Sequence, residues 1–308
     1  MSDITQPKRI VLAGGRGFMG RALTDALVAR GDDVVILTRS PSNQTRERVR
    51  EIAWDARSVG SWKNELDGAH AIVNLVGRTV DCRKTPANRK VILESRVNSV
   101  NALGAAIGQV QNPPQIWVQT GTAHIFGDSE TEIFTDGSPT GEGFAPDVGR
   151  AWEAAFDSVD FPNLRKVNLR ISFVLGRDGG ALKTLATLAR FGLGGTVGSG
   201  RQWMSWIHMA DMVQIFLRAI DDSTMNGTYV ITSPNPVDNK TFMRELRRAV
   251  HRPWSPPAPA FFVRIGARLM NTDPELALLG RRIVPKRIID EGFEFKNPNL
   301  PEANSTLL

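Results

Sequence analysis

Two apolar runs, Ile10 to Ala13 and Val34 to Leu37, flank the segment GGRGFMG, which places glycines at 14, 15, 17 and 20. The spacing reads as GxGxxG from Gly15, Gly17 and Gly20, or as GxxGxxG from Gly14, Gly17 and Gly20. In both readings the missing Cβ atoms let the chain turn tightly and let a pyrophosphate approach the backbone. A helix opening at Phe18 then presents its free N-terminal amides to the phosphates. The chemistry this suits is binding of a phosphorylated dinucleotide. The strand after the helix ends in Thr38, Arg39 and Ser40, where a site for NAD carries an Asp or Glu for the ribose hydroxyls. A guanidinium there matches a 2′-phosphate, and Arg16, inside the turn, adds a second one. The pair points to NADP(H) rather than NAD(H); the competing reading leaves Arg39 as a solvated loop residue.

Further side chains capable of chemistry follow along the chain. Thr120 and Thr122 are hydroxyls at the end of the apolar segment QIWVQTGTA, His124 comes two residues later, and His208 stands in WIH. Imidazole titrates near neutrality and serves as acid or base, or else hydrogen-bonds to backbone. Asp55, after a short strand, is an acceptor for an adenine amino group or a turn and cap residue. Arg201 suits a substrate carboxylate or phosphate, or only covers its loop. Trp203 and Trp206 suit stacking on a planar or sugar ring, or core packing. Asp211 reads as a helix cap or loop tie, and Lys90 and Arg96 as surface residues. No set of His, Cys, Asp and Glu has metal-ligand spacing, so no metal site is expected.

The elements that must position these residues repeat a strand and helix alternation. After the first βαβ unit come EIAWDA, a connecting helix at Trp62 to Ala69, the apolar strand AIVNLVG and a long helix from about Ala87 to Gly108. The strand with Thr120 and Thr122 follows, then a Gly- and Pro-rich stretch from Gly127 to Gly149 expected to be a mobile cover. A helix near Val148 to Phe156 and the strand KVNLRISFVLG complete this part. An apolar run buried on both faces belongs in a parallel sheet. The fold class is therefore α/β: a Rossmann-type doubly wound parallel sheet over residues 1–176, with a smaller mixed α/β substrate domain over 177–308 that exchanges strands and helices with it. Asn297 to Leu308 reads as a frayed end.

With 308 residues, 41% hydrophobic and 23% charged, the chain has the composition of a globular protein. The net charge of +6 is spread along it. The densest basic cluster, Arg281, Arg282, Lys286 and Arg287, is interrupted by Ile283, Val284 and Pro285, so no nucleic-acid partner is expected. No run is long enough to cross a bilayer, the N-terminus has no secretory core, and Cys82 is the only cysteine. These features point to the cytoplasm and away from membrane partners. The partner is a small-molecule substrate, and a homodimer is left open.

The motifs GGRGFMG, VILTR, IVNLVG, KVILESRVN, TGTAHIFG, LRISFVLGRDGGAL, FGLGGTVGSGRQWMSWIHMADM and LLGRRIVPKRIIDEGFEF resemble the extended short-chain dehydrogenase/reductase superfamily. The last two resemble in particular its epimerase family protein branch, of NAD-dependent epimerase/dehydratase type. The resemblance implies dinucleotide contacts from Gly14, Gly17, Phe18, Met19, Arg39, Leu75, Val76 and Gly77. It places Thr122 where related epimerases carry a catalytic Ser or Thr, with Thr120 on the same strand, and a substrate cavity around Arg201 to His208. It also exposes a departure. Counting back from Glu153, the positions of the superfamily's Tyr-x-x-x-Lys pair hold Ala145 and Gly149, and the sole tyrosine is Tyr229. The expectation is an NADP(H)-dependent oxidoreductase or epimerase acting on a small polar substrate, nucleotide-linked or not. A non-catalytic NADPH-binding sensor or assembly protein is the alternative.

Overall fold

The computed structural model describes residues 7–42 and 46–308. The extreme N-terminus and part of the polar loop expected at Ser40 to Thr45 lie outside the described residues. The first unit is β1 (Arg9–Ala13), α1 (Phe18–Ala29) and β2 (Asp33–Thr38), followed by β3 (Val49–Ala53) and β4 (Ala71–Asn74). A 3₁₀ turn, Ser61–Glu65, stands where the connecting helix was expected. Thr85 caps α2 (Pro86–Ile107) by accepting the Asn88 amide at 3.2 Å, and the proline occupies a helix start where its missing N–H costs nothing. Then come β5 (Ile116–Thr122), β6 (Ile133–Phe134), α3 (Phe144–Asp157), β7 (Arg165–Ile171), β8 (Phe173–Leu175) and α4 (Gly180–Arg190). The remaining elements are β9 (Trp203–Met204), β10 (Trp206–His208), α5 (Met209–Asp221), β11 (Gly227–Ile231), β12 (Val237–Asp238), α6 (Asn239–Ala249), α7 (Ala260–Leu269), α8 (Glu275–Leu278), β13 (Arg282–Ile283), α9 (Lys286–Asp290) and α10 (Leu300–Leu307).

Seven strands form one parallel sheet in the order β11-β7-β5-β4-β1-β2-β3. The order reverses between β1 and β4, which opens a crevice at the carboxyl ends of those strands, the place where such sheets bind ligands. Leu23 and Leu27 of α1 pack with Ile215 and Phe216 of α5 against one face; Leu103 and Ile107 of α2 pack with Trp152 and Phe156 of α3 against the other. Each such fully buried side chain contributes about 1.5–3 kcal/mol, so the two layers hold the crevice edges rigid.

Two expectations change. The stretch after Gly127 is pinned: β6 pairs in parallel with β13, and Gly280 donates its amide to Asp128 at 2.5 Å. α3 begins at Phe144, earlier than the loop composition suggested. The chain end is not frayed either. Leu300, Ala303 and Leu307 of α10 are buried with Phe242 and Leu246 of α6 and Leu182 of α4 in a separate core. Their spacing puts all three on one helix face.

Candidate functional site

The glycine turn is built around Gly14, which has φ +79° and whose amide donates to Leu37 O at 3.1 Å. A Cβ on Gly14 would lie 3.2 Å from the carbonyl carbon of Leu75 and 3.3 Å from Val76 Cγ2. Only glycine lets the first turn sit this close to the end of β4. Gly17 begins α1 with extended backbone, no side chain caps the helix, and its first turn carries no acidic residue. The opening amides of α1, including those of Phe18 and Met19, have no intrahelical partner by helix geometry. The Phe18 ring itself lies over Gly176, Gly179 and Gly180, so Phe18 can offer a ligand its backbone rather than its ring. The residues present therefore form a cradle for an anion at a helix N-terminus.

At the end of β2, Arg39 is exposed and makes no hydrogen bond or ion pair with any described residue. Arg16 donates to Ser40 O and lies 3.8 Å from Glu51. Asp55 closes its own turn: it accepts the Arg57 and Ser58 amides at 2.8 and 2.9 Å and the Ser58 hydroxyl at 2.6 Å. The Ser58 hydroxyl and the two amides hold its carboxyl down at about 2.

A buried polar network joins the ends of β4 and β5. Asn74 donates to Gln119 Oε1 at 3.0 Å and to Ser99 Oγ at 3.2 Å, and accepts the Val76 amide at 3.1 Å. Thr120 donates to Asn74 O at 2.8 Å. Thr120 is thus 3% exposed and spent on fixing the loop Leu75 to Gly77. Thr122 accepts the His124 amide at 3.2 Å through Oγ1, which leaves its hydroxyl proton free to donate. Burial, and after it the charges of Arg281, Lys84 and Arg96, push His124 down to about 3, so its ring is neutral at physiological pH.

The other predicted residues are distributed differently. His208 accepts the Ala210 amide at Nδ1 (3.1 Å), capping α5, and its Nε2 lies 3.1 Å from Thr306 Oγ1 on α10. Because Thr306 Oγ1 donates to Ala303 O at 2.9 Å, it accepts from Nε2–H, and both ring nitrogens are engaged. Asp211 ties the closing segment, accepting the Lys296 and Asn297 amides at 2.8 and 2.9 Å. Trp206 is fully buried in the core shared by α4, α6 and α10. Trp203 donates to Glu130 O at 2.9 Å and lies under the Arg282 guanidinium, and exposed Arg201 pairs with Glu130 at 3.0 Å. Arg96, read from the sequence as a surface residue, is instead packed into the protein. Its guanidinium is packed against Gly77 and 5.0 Å from the Trp152 ring, donating to the carbonyls of Arg78 and Ile92. Its spacing on α2 gave no sign of this, because Gly77 and Arg78 come from the loop after β4 and Trp152 from α3.

Gly149, which counting back from Glu153 sets at the place of the superfamily's lysine, packs on Ile125: a Cβ there would lie 2.9 Å from Ile125 Cγ1. Any side chain at 149 forces Ile125 to shift. Among the described residues, no group of three His, Cys, Asp or Glu side chains could hold a metal ion, and no helix is long and apolar enough to cross a membrane.

A family model described as NAD dependent epimerase/dehydratase family matches residues 10–232. The chain belongs to that family. A second model, a domain of unknown function (DUF1731), matches residues 258–306. The chain is similar to epimerase family protein YfhF of Bacillus subtilis, 32% identical over 300 residues, covering 97% of each chain. It is also similar to epimerase family protein SDR39U1 of Bos taurus, 33% identical, covering 96% of this chain and 98% of that one. A crystal structure of human epimerase family protein SDR39U1 (isoform 2) with NADPH superposes with a TM-score of 0.86 at 30% identity, covering 97% of this chain and 98% of that one. The seven-stranded Rossmann-type sheet and the extended short-chain dehydrogenase/reductase resemblance are thereby both accounted for.

Proposed function

We propose that this epimerase/dehydratase family member binds NADP(H) and acts as an oxidoreductase or epimerase on a small polar substrate. The observation that carries the reading is the uncapped α1 N-terminus facing the crevice, with Arg39, which has no partner among the described residues, at the end of β2 where a carboxylate would serve NAD. The NADPH held by the human relative supports it. Gly14, Gly17 and the amides of Phe18 and Met19 would hold the pyrophosphate, Arg16 and Arg39 the 2′-phosphate, and Leu75 to Gly77 the ribose side, with Asp55 beside the adenine. When bound, the nicotinamide supplies hydride transfer to or from a substrate carbon.

The chain's own residues supply the rest. Thr122 donates its free proton to the substrate oxygen and so polarises it. His124, neutral, accepts a proton or orients a water rather than acting as an imidazolium acid. Thr120 and the Asn74 network hold the β4 loop in place. The Arg201 and Trp203 loop covers the substrate side, while His208 and Trp206 serve the scaffold. Titration of the purified protein with NADPH and NADH tests the reading: tighter binding of NADPH is expected, and equal affinities overturn the 2′-phosphate assignment.

The closed space at Gly149 favours a second reading, an NADPH-binding sensor without turnover, because the usual lysine has no place to stand. Transfer of label from 4-deuterated NADPH to any carbonyl substrate decides between them.

A further inference from the structure

A cavity of about 440 Å³ opens where the carboxyl ends of α4 and α6 meet α10, and none of its lining residues belongs to the glycine turn or to the ends of β1, β4 and β5. That volume suits a small ligand. Two of its wall residues carry polar groups that the fold leaves unanswered. Arg190, in the last turn of α4, is exposed and makes no hydrogen bond or ion pair with any described residue. Asn304 of α10 is 1% exposed, yet neither its Nδ2 nor its Oδ1 has a hydrogen-bond partner among the described residues. A buried amide in this state costs free energy that a bound donor and acceptor would recover. Among the described residues lining the cavity, Glu245 is the one acidic side chain, and it is already answered twice, by Arg244 Nε and by Arg248 Nη1, each at 2.9 Å. Arg190 is therefore left as a cation without a counter-ion. Val250, Pro301 and Leu308 add apolar wall.

We propose that this cavity is a second ligand site, for an adenine mononucleotide whose phosphate is taken by Arg190 and whose base edge is paired by the Asn304 amide. An amide sets one donor beside one acceptor, the complement of the N6 and N7 edge of adenine, and a guanidinium takes phosphate in a forked pair. A plain anion would leave Asn304 unanswered, and a neutral base would leave Arg190 so. Together they select a molecule that carries both groups, with the apolar wall covering the base. α4 begins at Gly180, against which the Phe18 ring packs, and reaches Arg190 about 15 Å further along its axis. One helix thus links the glycine turn to the cavity while holding the two sites apart, and the inference does not depend on the functional reading above.

The test titrates the full chain with adenosine monophosphate, with adenosine and with inorganic phosphate, in the presence of NADPH and again in its absence, following the His251 ring resonances by NMR. His251 lines the cavity, and the H251N variant assigns it among the four histidines. Saturable His251 shifts with the nucleotide are expected in both conditions, with adenosine and phosphate each weaker by about tenfold or more, since each answers one group of the two. R190Q alters an exposed side chain with no described partner to lose, so it should fold, and it should weaken the nucleotide by about tenfold or more. N304L should keep or raise the melting temperature and abolish the preference for the nucleotide over phosphate; a fall in melting temperature with that preference intact would make the amide structural and overturn its role. If N304L does not fold, R190Q and the three probes decide alone. Phosphate binding as tightly as the nucleotide overturns the adenine assignment. Absence of His251 shifts with the nucleotide, shifts that NADPH abolishes, or equal nucleotide binding in R190Q and the unmodified chain overturns the site, whether or not NADPH binds in the crevice.

Discussion

The Glu153 carboxylate of α3 grips the Arg170 guanidinium of β7 in a two-pronged pair, Nε to Oε1 at 2.8 Å and Nη2 to Oε2 at 2.7 Å. Asn168 adds a third donor to Oε1 at 2.9 Å, and the ring of Phe126 lies 5.4 Å from the guanidinium. The pair locks α3 to the sheet just behind the Thr122 strand. Removing one partner strands the other in a site where both side chains are 11–15% exposed. E153A should therefore cost about 3–5 kcal/mol in denaturant unfolding. A loss below about 1 kcal/mol, the range of a surface pair, would show that the pair is not holding the layer.

Arg39 and the cofactor preference stand or fall together. R39A should weaken NADPH by about ten- to a hundredfold, the worth of a charged hydrogen-bonded contact, and leave NADH nearly unchanged. Fluorescence titration of both nucleotides against both proteins gives the answer. Parallel losses would mean that Arg39 supports the loop rather than the phosphate.

Gly14 tests the cradle itself. At φ +79° an alanine is strained by about 1–2 kcal/mol, and its methyl meets the Leu75 backbone at 3.2 Å. G14A should lower the melting temperature and weaken NADPH together. Cofactor binding at the unmodified level would place the pyrophosphate elsewhere.

His124 makes stability depend on pH in a definite direction. Its folded value, about 3, lies below the ordinary 6.5. Between these values the unfolded chain binds a proton that the folded chain refuses, so stability falls as pH drops below about 6.5 and stops falling near 3. The slope from one such group is about 1.4 kcal/mol per pH unit at most. H124Q should flatten the curve over this window relative to the unmodified protein. Parallel curves would show that the ring is protonated normally in the fold.

The bond from His208 to Thr306 separates scaffold from chemistry. T306V leaves Nε2–H buried without an acceptor and should cost about 1–3 kcal/mol. NADPH affinity should not move, since the His208 and Thr306 side chains bond to Ala210 and Ala303 and to each other, and to no residue of the glycine turn. A change in cofactor binding without a change in stability would return His208 to the site.

What the sequence made legible was local. Gly14 to Gly20 lie between two apolar runs and need only their neighbours to be read, and the parallel sheet followed from strands such as Ala71–Asn74, whose first three residues are apolar and all of which are buried. What it hid depended on partners far along the chain. Arg96 looks like any helix arginine until Gly77 and Trp152 are brought against it. Trp206 and His208 lie in a segment rich in glycine and aromatic residues that suggests a cavity wall, yet β10 runs beside β8 and buries them. The chain end deceived by composition: Asn, Glu, Ser and Thr mask the apolar positions Leu300, Ala303 and Leu307, which acquire meaning only against α6.

The stacking of Gly149 on Ile125 constrains the ancestry of the protein as well as its chemistry. A lineage that regained lysine at 149 alone would meet Ile125 and lose fold stability before gaining a proton relay. A smaller residue at 125 has to come before the lysine, at the cost of the cavity it leaves, and a tyrosine at 145 is needed besides.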